Sequence, residues 1–272
     1  MSRSRDADAP GYDDSYQGFD SPLMGQIRLE AYGTDIGQHS WVIAEELRKD
    51  VARLGLTSRS RLLDLGCGPC GPLTFVAGLV GCRATGIDVS AAAITSGRAR
   101  SAALGLDRLV VLAQADLDGR LPLQDGEHDA AMSLDVVLHL RDRAAFFREV
   151  ARALAPGGKL LFTDAGVATG PVSDEERRLR SFHGSAQLVP PGFNERALDA
   201  AGFRLVERED RTESILANAT GRRAARDAHR RELELIEGTA SFERQQLYLS
   251  TVVELARRGA AKRMMYVAEV AR

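Results

Sequence analysis

The chain has 272 residues, 44% of them apolar and 27% charged, which suits a globular protein with a sizeable core in one large α/β domain or two modest ones. A formal net charge of −2 argues against a nucleic-acid or anionic-membrane surface, and no apolar run approaches the roughly 20 residues that span a bilayer. Three cysteines make no disulfide framework and the N-terminal residues show no apolar signal core, so a cytoplasmic protein is expected.

Residues 1–40 read as an N-terminal tail and lid. The first half is rich in Asp, Ser, Gly and Arg and reads as mobile, although Tyr12, Tyr16 and Phe19 give it the means to order over a site. Val42, Ile43, Leu47, Val51 and Leu54 then predict an amphipathic helix over 41–56. Strand-like runs follow at Arg61–Leu65, Ala84–Ile87, Leu109–Leu112, Ala130–Ser133 and Lys159–Thr163, alternating with helical stretches at Leu73–Leu79, Ala91–Ala103 and Asp142–Leu154. That alternation implies βαβ units and a doubly wound, mostly parallel sheet with ligands at the carboxyl ends of its strands. After Asp164 a helix is expected at Pro190–Ala201, a strand at Phe203–Glu207, an Arg/Glu-rich helical region over 211–258 and a last strand at Arg263–Ala271. The domain therefore spans 41–272, with a cofactor-binding core at 60–165 and cap helices at 166–190 and 211–258 whose charges read as a solvated face.

The glycine loop Gly66-Cys67-Gly68-Pro69-Cys70-Gly71 admits three readings. With Asp88 downstream it fits a dinucleotide fingerprint; Cys67-Gly68-Pro69-Cys70 matches a thioredoxin-like redox tetrapeptide; and Leu63-Asp64-Leu65-Gly66-Cys67-Gly68 resembles the first motif of class I methyltransferases. An acid at Asp64 opposes a pyrophosphate but suits S-adenosylmethionine, which brings an ammonium and a sulfonium. A redox site would need an exposed thiol in a smaller fold, so Cys67 and Cys70 read as packing residues.

Further segments resemble the same family in the same order. Ala84–Ser90 resembles the strand whose terminal acid, Asp88, takes the ribose hydroxyls beside Val89. Gln114-Ala115-Asp116-Leu117 resembles the adenine-binding turn; Asp129–Asp135 resembles the fourth strand; Leu154–Leu160 resembles the turn before the fifth. The resemblance implies a seven-stranded Rossmann-like methyltransferase sheet with helical lid insertions, S-adenosylmethionine as cofactor, and Asp64, Gly66, Cys67, Gly68, Asp88, Val89, Asp116, Leu117 and Asp135 as cofactor contacts.

The fourth strand lacks the Asn/Asp-Pro-Pro-aromatic element of DNA amino-methyltransferases and ends Asp135-Val136-Val137-Leu138-His139. Asp135 and His139 are similar in spacing to the small-molecule group that includes phosphoethanolamine and sarcosine/dimethylglycine methyltransferases. That similarity places His139 beside the transferable methyl, as base or as orienting group. The segment 30–41 resembles the upstream segment of the same group, so Gln38 and Ser40 are expected at the cofactor carboxylate and Tyr32 in the catalytic cap. Asp164 is expected to face the acceptor, favouring an amine and thus nitrogen over oxygen or carbon. A phosphobase is doubtful, although Arg180 and His183 lie in the variable segment. His39, His128, His183 and His229 read as surface residues, and no spacing suggests a structural metal. The alternatives are a non-methylating cyclase or binding protein on the same fold, or an NAD-dependent oxidoreductase.

Overall fold

Apolar runs become strands here because helices cover both faces of one sheet. In the computed structural model, which describes residues 16, 18–182 and 185–271, that sheet has seven strands. They are β1 (Arg61–Leu65), β2 (Arg83–Asp88), β3 (Val110–Gln114), β4 (His128–Leu134), β5 (Leu154–Ala168), β6 (Phe203–Asp210) and β7 (Ala261–Val270). Their order is β3-β2-β1-β4-β5-β7-β6, with β1 to β5 parallel and β7 antiparallel to both β5 and β6. The expected doubly wound, mostly parallel sheet is present. Only β5 departs much from its expected length, running on at both ends of Lys159–Thr163.

Helices α1 (Pro22–Tyr32), α2 (Ala44–Ala52), α3 (Gly71–Val80), α4 (Ala91–Ala103), α5 (Arg143–Ala153), α6 (Asp174–Arg180) and α7 (Phe193–Ala200) surround the sheet. Local chemistry sets their ends. Ser21 caps α1 before Pro22, and Gly33 stops it in the left-handed conformation at φ 74°. Ser90 and Asp142 cap α4 and α5 through the amides of Ala93 and Ala145. Ser173 and Glu176 form a reciprocal capping box on α6. The helix expected over 41–56 starts only at Ala44, because Trp41 spends its amide on Asp135.

Alternation along β1 divides the core. Leu62 packs with Leu73, Val76 and Leu112 on one face, and Leu63 and Leu65 pack with Phe146, Phe147 and Phe162 on the other. Burying each such side chain is worth about 1.5–3 kcal/mol. The region expected as one helical stretch over 211–258 is three helices: α8 (Thr212–Ala228), α9 (Arg230–Glu237) and α10 (Thr239–Arg257). It is more than a solvated cover: Ile215, Ala219, Leu249 and Val252 pack with Trp41 in a further core, and Arg226 is buried against Glu237.

Strand order reverses where β1 lies between β2 and β4, so the loops after β1 and β4 meet there. Gly66 has φ 78°, and a Cβ on it would lie 2.4 Å from Val136 Cγ2. A Cβ on Gly71 would lie 2.1 Å from the Gly37 carbonyl oxygen, so the turn over 34–40 rests directly on the start of α3. Gly71→Ala is expected to cost about 1–3 kcal/mol by overpacking against backbone. Each kcal/mol should lower the melting temperature by roughly 2–4 °C in calorimetry. Gly78→Ala in the same helix, whose Cβ would meet only Leu106 at 3.8 Å, should not destabilise.

Candidate functional site

The loop after β1 turns sharply so that its amides and the strand-end acids share one end of the sheet. Asp88, at the tip of β2, accepts from the Gly68 amide at 2.8 Å and the Ser90 amide at 2.9 Å, tying the glycine loop to the start of α4. Asp64, 2% exposed on β1, receives no donor among the described residues. Burial, reinforced by the charge of Asp88, pushes its carboxyl well above the usual carboxylate range. Cys67 and Cys70 are buried with their sulfurs 3.3 Å apart. The Cys70 thiol and burial hold Cys67 well above the ordinary thiol range, as suits a packing residue rather than an exposed reactive thiol. Val89 is half-buried with its carbonyl accepting from Gln114; Leu117 is buried, while Asp116 is exposed beside Arg141 at 3.5 Å.

Tyr16 and residues 18–20 pack close to this loop, while the rest of the stretch that composition marks as mobile lies outside the described residues. A Cβ on Gly68 would meet the Tyr16 hydroxyl at 3.2 Å, and Tyr16 lies edge-on to His39 at 5.3 Å. Phe19 is buried under the Arg28 guanidinium, and Asp20 pairs with Arg100 at 2.5 Å. Tyr12 and His183 lie outside the described residues. Gln38 does not present its amide to a ligand as expected, because Oε1 accepts from the Ile36 amide and Nε2 donates to Thr34 O, which closes its own turn. Ser40 differs: its Oγ is buried with no partner among the described residues, and its carbonyl accepts from Tyr32 Oη at 3.2 Å. Buried polar atoms without partners are rare, so Ser40 Oγ and the Asp64 carboxylate together suit a ligand bearing both carboxylate and ammonium.

Asp135 sits just past β4 at φ 60°, an uncommon conformation for a side-chain-bearing residue. Its carboxylate was expected at the cofactor, but three protein donors take it: Trp41 N at 2.9 Å, Thr163 Oγ1 at 2.9 Å and Arg263 Nε at 2.9 Å. Arg263, wholly buried on β7, also pairs with Glu46 at 2.5 Å. Asp164 is likewise closed off. It is fully buried and accepts from Arg143 at 2.5 Å, Asn194 Nδ2 at 2.7 Å and the Gly166 amide at 2.8 Å, so it faces no acceptor.

His139 ends a single 3₁₀ turn, Val137–His139, and is half-buried. Its Nδ1 lies 3.1 Å from the Ser185 carbonyl, which accepts from it. Burial, with a push from the Arg180 charge, brings its pKa down to about 4. His39, expected on the surface, is half-buried and pushed down to about 3 by burial; His128 is 2% exposed. Around these groups stand Trp41 and Tyr248, stacked at 6.3 Å, with Phe182 5.8 Å from Tyr248. Tyr32 is buried, with Arg222, Tyr248 and Asp135 all close enough to act on its hydroxyl. Sequence reasoning missed Arg222, Tyr248 and Arg263, because no local motif surrounds them.

A methyltransferase domain family matches residues 63–162. The glycine/sarcosine/dimethylglycine N-methyltransferase of Actinopolyspora halophila is 29% identical over 169 residues, 62% of this chain. The match spans only 30% of that longer protein. The sarcosine/dimethylglycine N-methyltransferase of Halorhodospira halochloris is 30% identical over 207 residues, covering 74% of this chain and 72% of that one. Among solved structures, phosphoethanolamine N-methyltransferase 2 of Haemonchus contortus has a TM-score of 0.80 at 19% identity. That match covers 97% of this chain and 61% of the other, which was solved with phosphomonomethylethanolamine and S-adenosylhomocysteine.

The Arg263 cluster makes a stability test. Arg263→Met leaves the Asp135 and Glu46 carboxylates buried beside each other's network without that cation. Urea unfolding should show a loss of about 3–5 kcal/mol, the cost of breaking a buried pair.

Proposed function

Because this chain belongs to the class I S-adenosylmethionine-dependent methyltransferases, we propose that it methylates a small-molecule acceptor on nitrogen, oxygen or carbon, nitrogen being favoured, and releases S-adenosylhomocysteine. When bound, the cofactor supplies an electrophilic methyl on a sulfonium. Asp64 offers its charge to the cofactor ammonium, Ser40 Oγ donates to its carboxylate, and Asp88 and the Gly66–Gly68 backbone receive its ribose side. Asp116 and Leu117 frame the adenine end. The preference for nitrogen rests on the N-methyltransferase relatives, Asp164 having been withdrawn by its bond to Arg143.

The observation that carries the reading is His139, neutral at working pH and held by Ser185 just past β4. Donation from Nδ1 to that carbonyl leaves Nε2 as the lone-pair nitrogen. A base with pKa about 4 is far from the pH where proton abstraction is most effective, so His139 orients an N–H or O–H more than it removes its proton. Tyr32 closes the cap beside it.

Incubation with S-adenosylmethionine and a panel of amines, amino acids and phenols should yield a product heavier by one methyl. His139→Ala should reduce kcat by about 10- to 100-fold, at or below the low end of general-base effects. His139→Gln should recover part of the loss. The group is neutral above about pH 4, so it should contribute no limb to kcat/KM between about pH 6 and 8; a limb near 6.5 that vanishes in His139→Ala would refute the orienting role.

Cofactor binding should release a proton, since the ammonium favours the ionised form of Asp64. Titration calorimetry with S-adenosylhomocysteine should therefore show affinity rising with pH through the range where Asp64 titrates, then levelling off. Asp64→Asn should flatten that dependence and weaken binding by roughly 10- to 150-fold, the worth of one hydrogen bond to a charged group. Tight NAD binding with no response to S-adenosylhomocysteine would sink the proposed activity.

A further inference from the structure

Arg180, at the end of α6, is 3% exposed, yet no carboxylate pairs with it among the described residues. Two neutral groups accept from it: Nη1 donates to Tyr248 Oη at 3.3 Å and Nη2 to Ala165 O at 3.1 Å. A guanidinium has five N–H donors in a planar fork, so these two bonds leave most of its capacity uncommitted. Its Cζ stands 5.6 Å from the Tyr248 ring centroid, a contact that offsets only a small part of the desolvation.

The nearby acids do not compensate it. Asp164 is held by Arg143, and Asp135 and Glu46 are held by Arg263. Arg222 on α8 repeats the pattern on the other aromatic ring. It is half-buried with Cζ 5.1 Å from the Trp41 ring centroid, it reaches the His39 carbonyl at 3.5 Å, and it forms no ion pair among the described residues. Two cations without counter-ions thus flank the Trp41–Tyr248 stack, and the charge of Arg180 is felt at His139.

We propose that the methyl acceptor is an organic anion whose carboxylate, or a group of like charge and shape, is held by Arg180 with Arg222 assisting, its apolar body lying against Trp41, Tyr248 and Phe182. A carboxylate meets a guanidinium through two parallel N–H···O bonds, and that pairing supplies the missing counter-ion. This rests on the proposal that the space beside His139 receives the acceptor. It reverses the sign of acceptor charge that Asp164 suggested.

The test uses two matched pairs, acetate against acetamide and 4-hydroxybenzoate against 4-hydroxybenzamide, titrated calorimetrically into the full chain with and without S-adenosylhomocysteine. Acetate is the smallest carboxylate probe of the pair, and the benzoate adds a flat body. In both states each carboxylate should bind at least tenfold more tightly than its amide. Arg180→Met should abolish that preference while S-adenosylhomocysteine affinity stays within threefold, and Arg222→Gln should reduce it partially. Amides binding as well as carboxylates, no binding of either carboxylate, or an Arg180→Met variant that keeps the preference would each overturn the proposal. Should Arg180→Met fail to fold, the wild-type comparison and Arg222→Gln still decide. Absence of S-adenosylhomocysteine binding alone would instead sink the methyltransferase activity and leave the anion comparison readable.

Discussion

Arg263 lies at zero exposure in the last strand, and its charge is tolerable there only because Glu46 and Asp135 both accept from it. Those two acids belong to parts of the chain far apart in sequence, α2 and the turn after β4. Asp135 in turn takes the Trp41 amide, and the Trp41 carbonyl accepts from Asn218 on α8 at 2.6 Å. One guanidinium thus links the closing strand, helix α2, helix α8 and the turn after β4. It also explains how Asp135 keeps a left-handed backbone. A residue with φ near 60° persists when its surroundings over-determine it, and three side-chain acceptor bonds do so here.

That anchoring splits the site into two halves of different chemistry. The half built on β1, β2 and the glycine loop is tightly fitted because glycine is required at Gly66 against the Val136 side chain and at Gly71 against the Gly37 backbone. It carries the buried Asp64 carboxylate, which receives no donor among the described residues. The half built from α1, α8, α10 and the segment after β5 is aromatic and basic, and its elements come from insertions. A doubly wound sheet supplies a fixed cofactor edge, and the insertions are free to vary what sits beside it.

The tightly fitted half was legible because each of its signals is local: a short apolar run, a glycine turn, an acid at the strand end. The placement of Asp64, Gly68 and Asp88 at one end of the sheet follows from their neighbours in sequence, their part in holding a cofactor being the proposal. The errors occurred where a distant partner decides. Asp164 looked open because Arg143 and Asn194, which close it, approach from helices on either side in the sequence. Asp135 looked like a cofactor ligand because nothing near β4 hints at an arginine on β7. Gln38 failed differently, since its two ends satisfy the turn it sits in, which spacing alone does not reveal. Arg180, Arg222 and Tyr248 meet only through the packing of α6, α8 and α10, so no stretch of sequence contains their association.

The same leftover charge bears on how the nucleophile loses its proton. His139 is a weak base because it is buried and because Arg180 disfavours a second positive charge nearby. That field acts on any group placed beside it, including an amine or hydroxyl of the acceptor. Arg180 acts on such a group, as it acts on the imidazole, until an anion pairs with its guanidinium. Burial is the larger cause of the low basicity of His139, and the charge of Arg180 adds to it. On the proposed reading the sign is consistent across the site: acids face a cationic cofactor, and cations face an anionic acceptor.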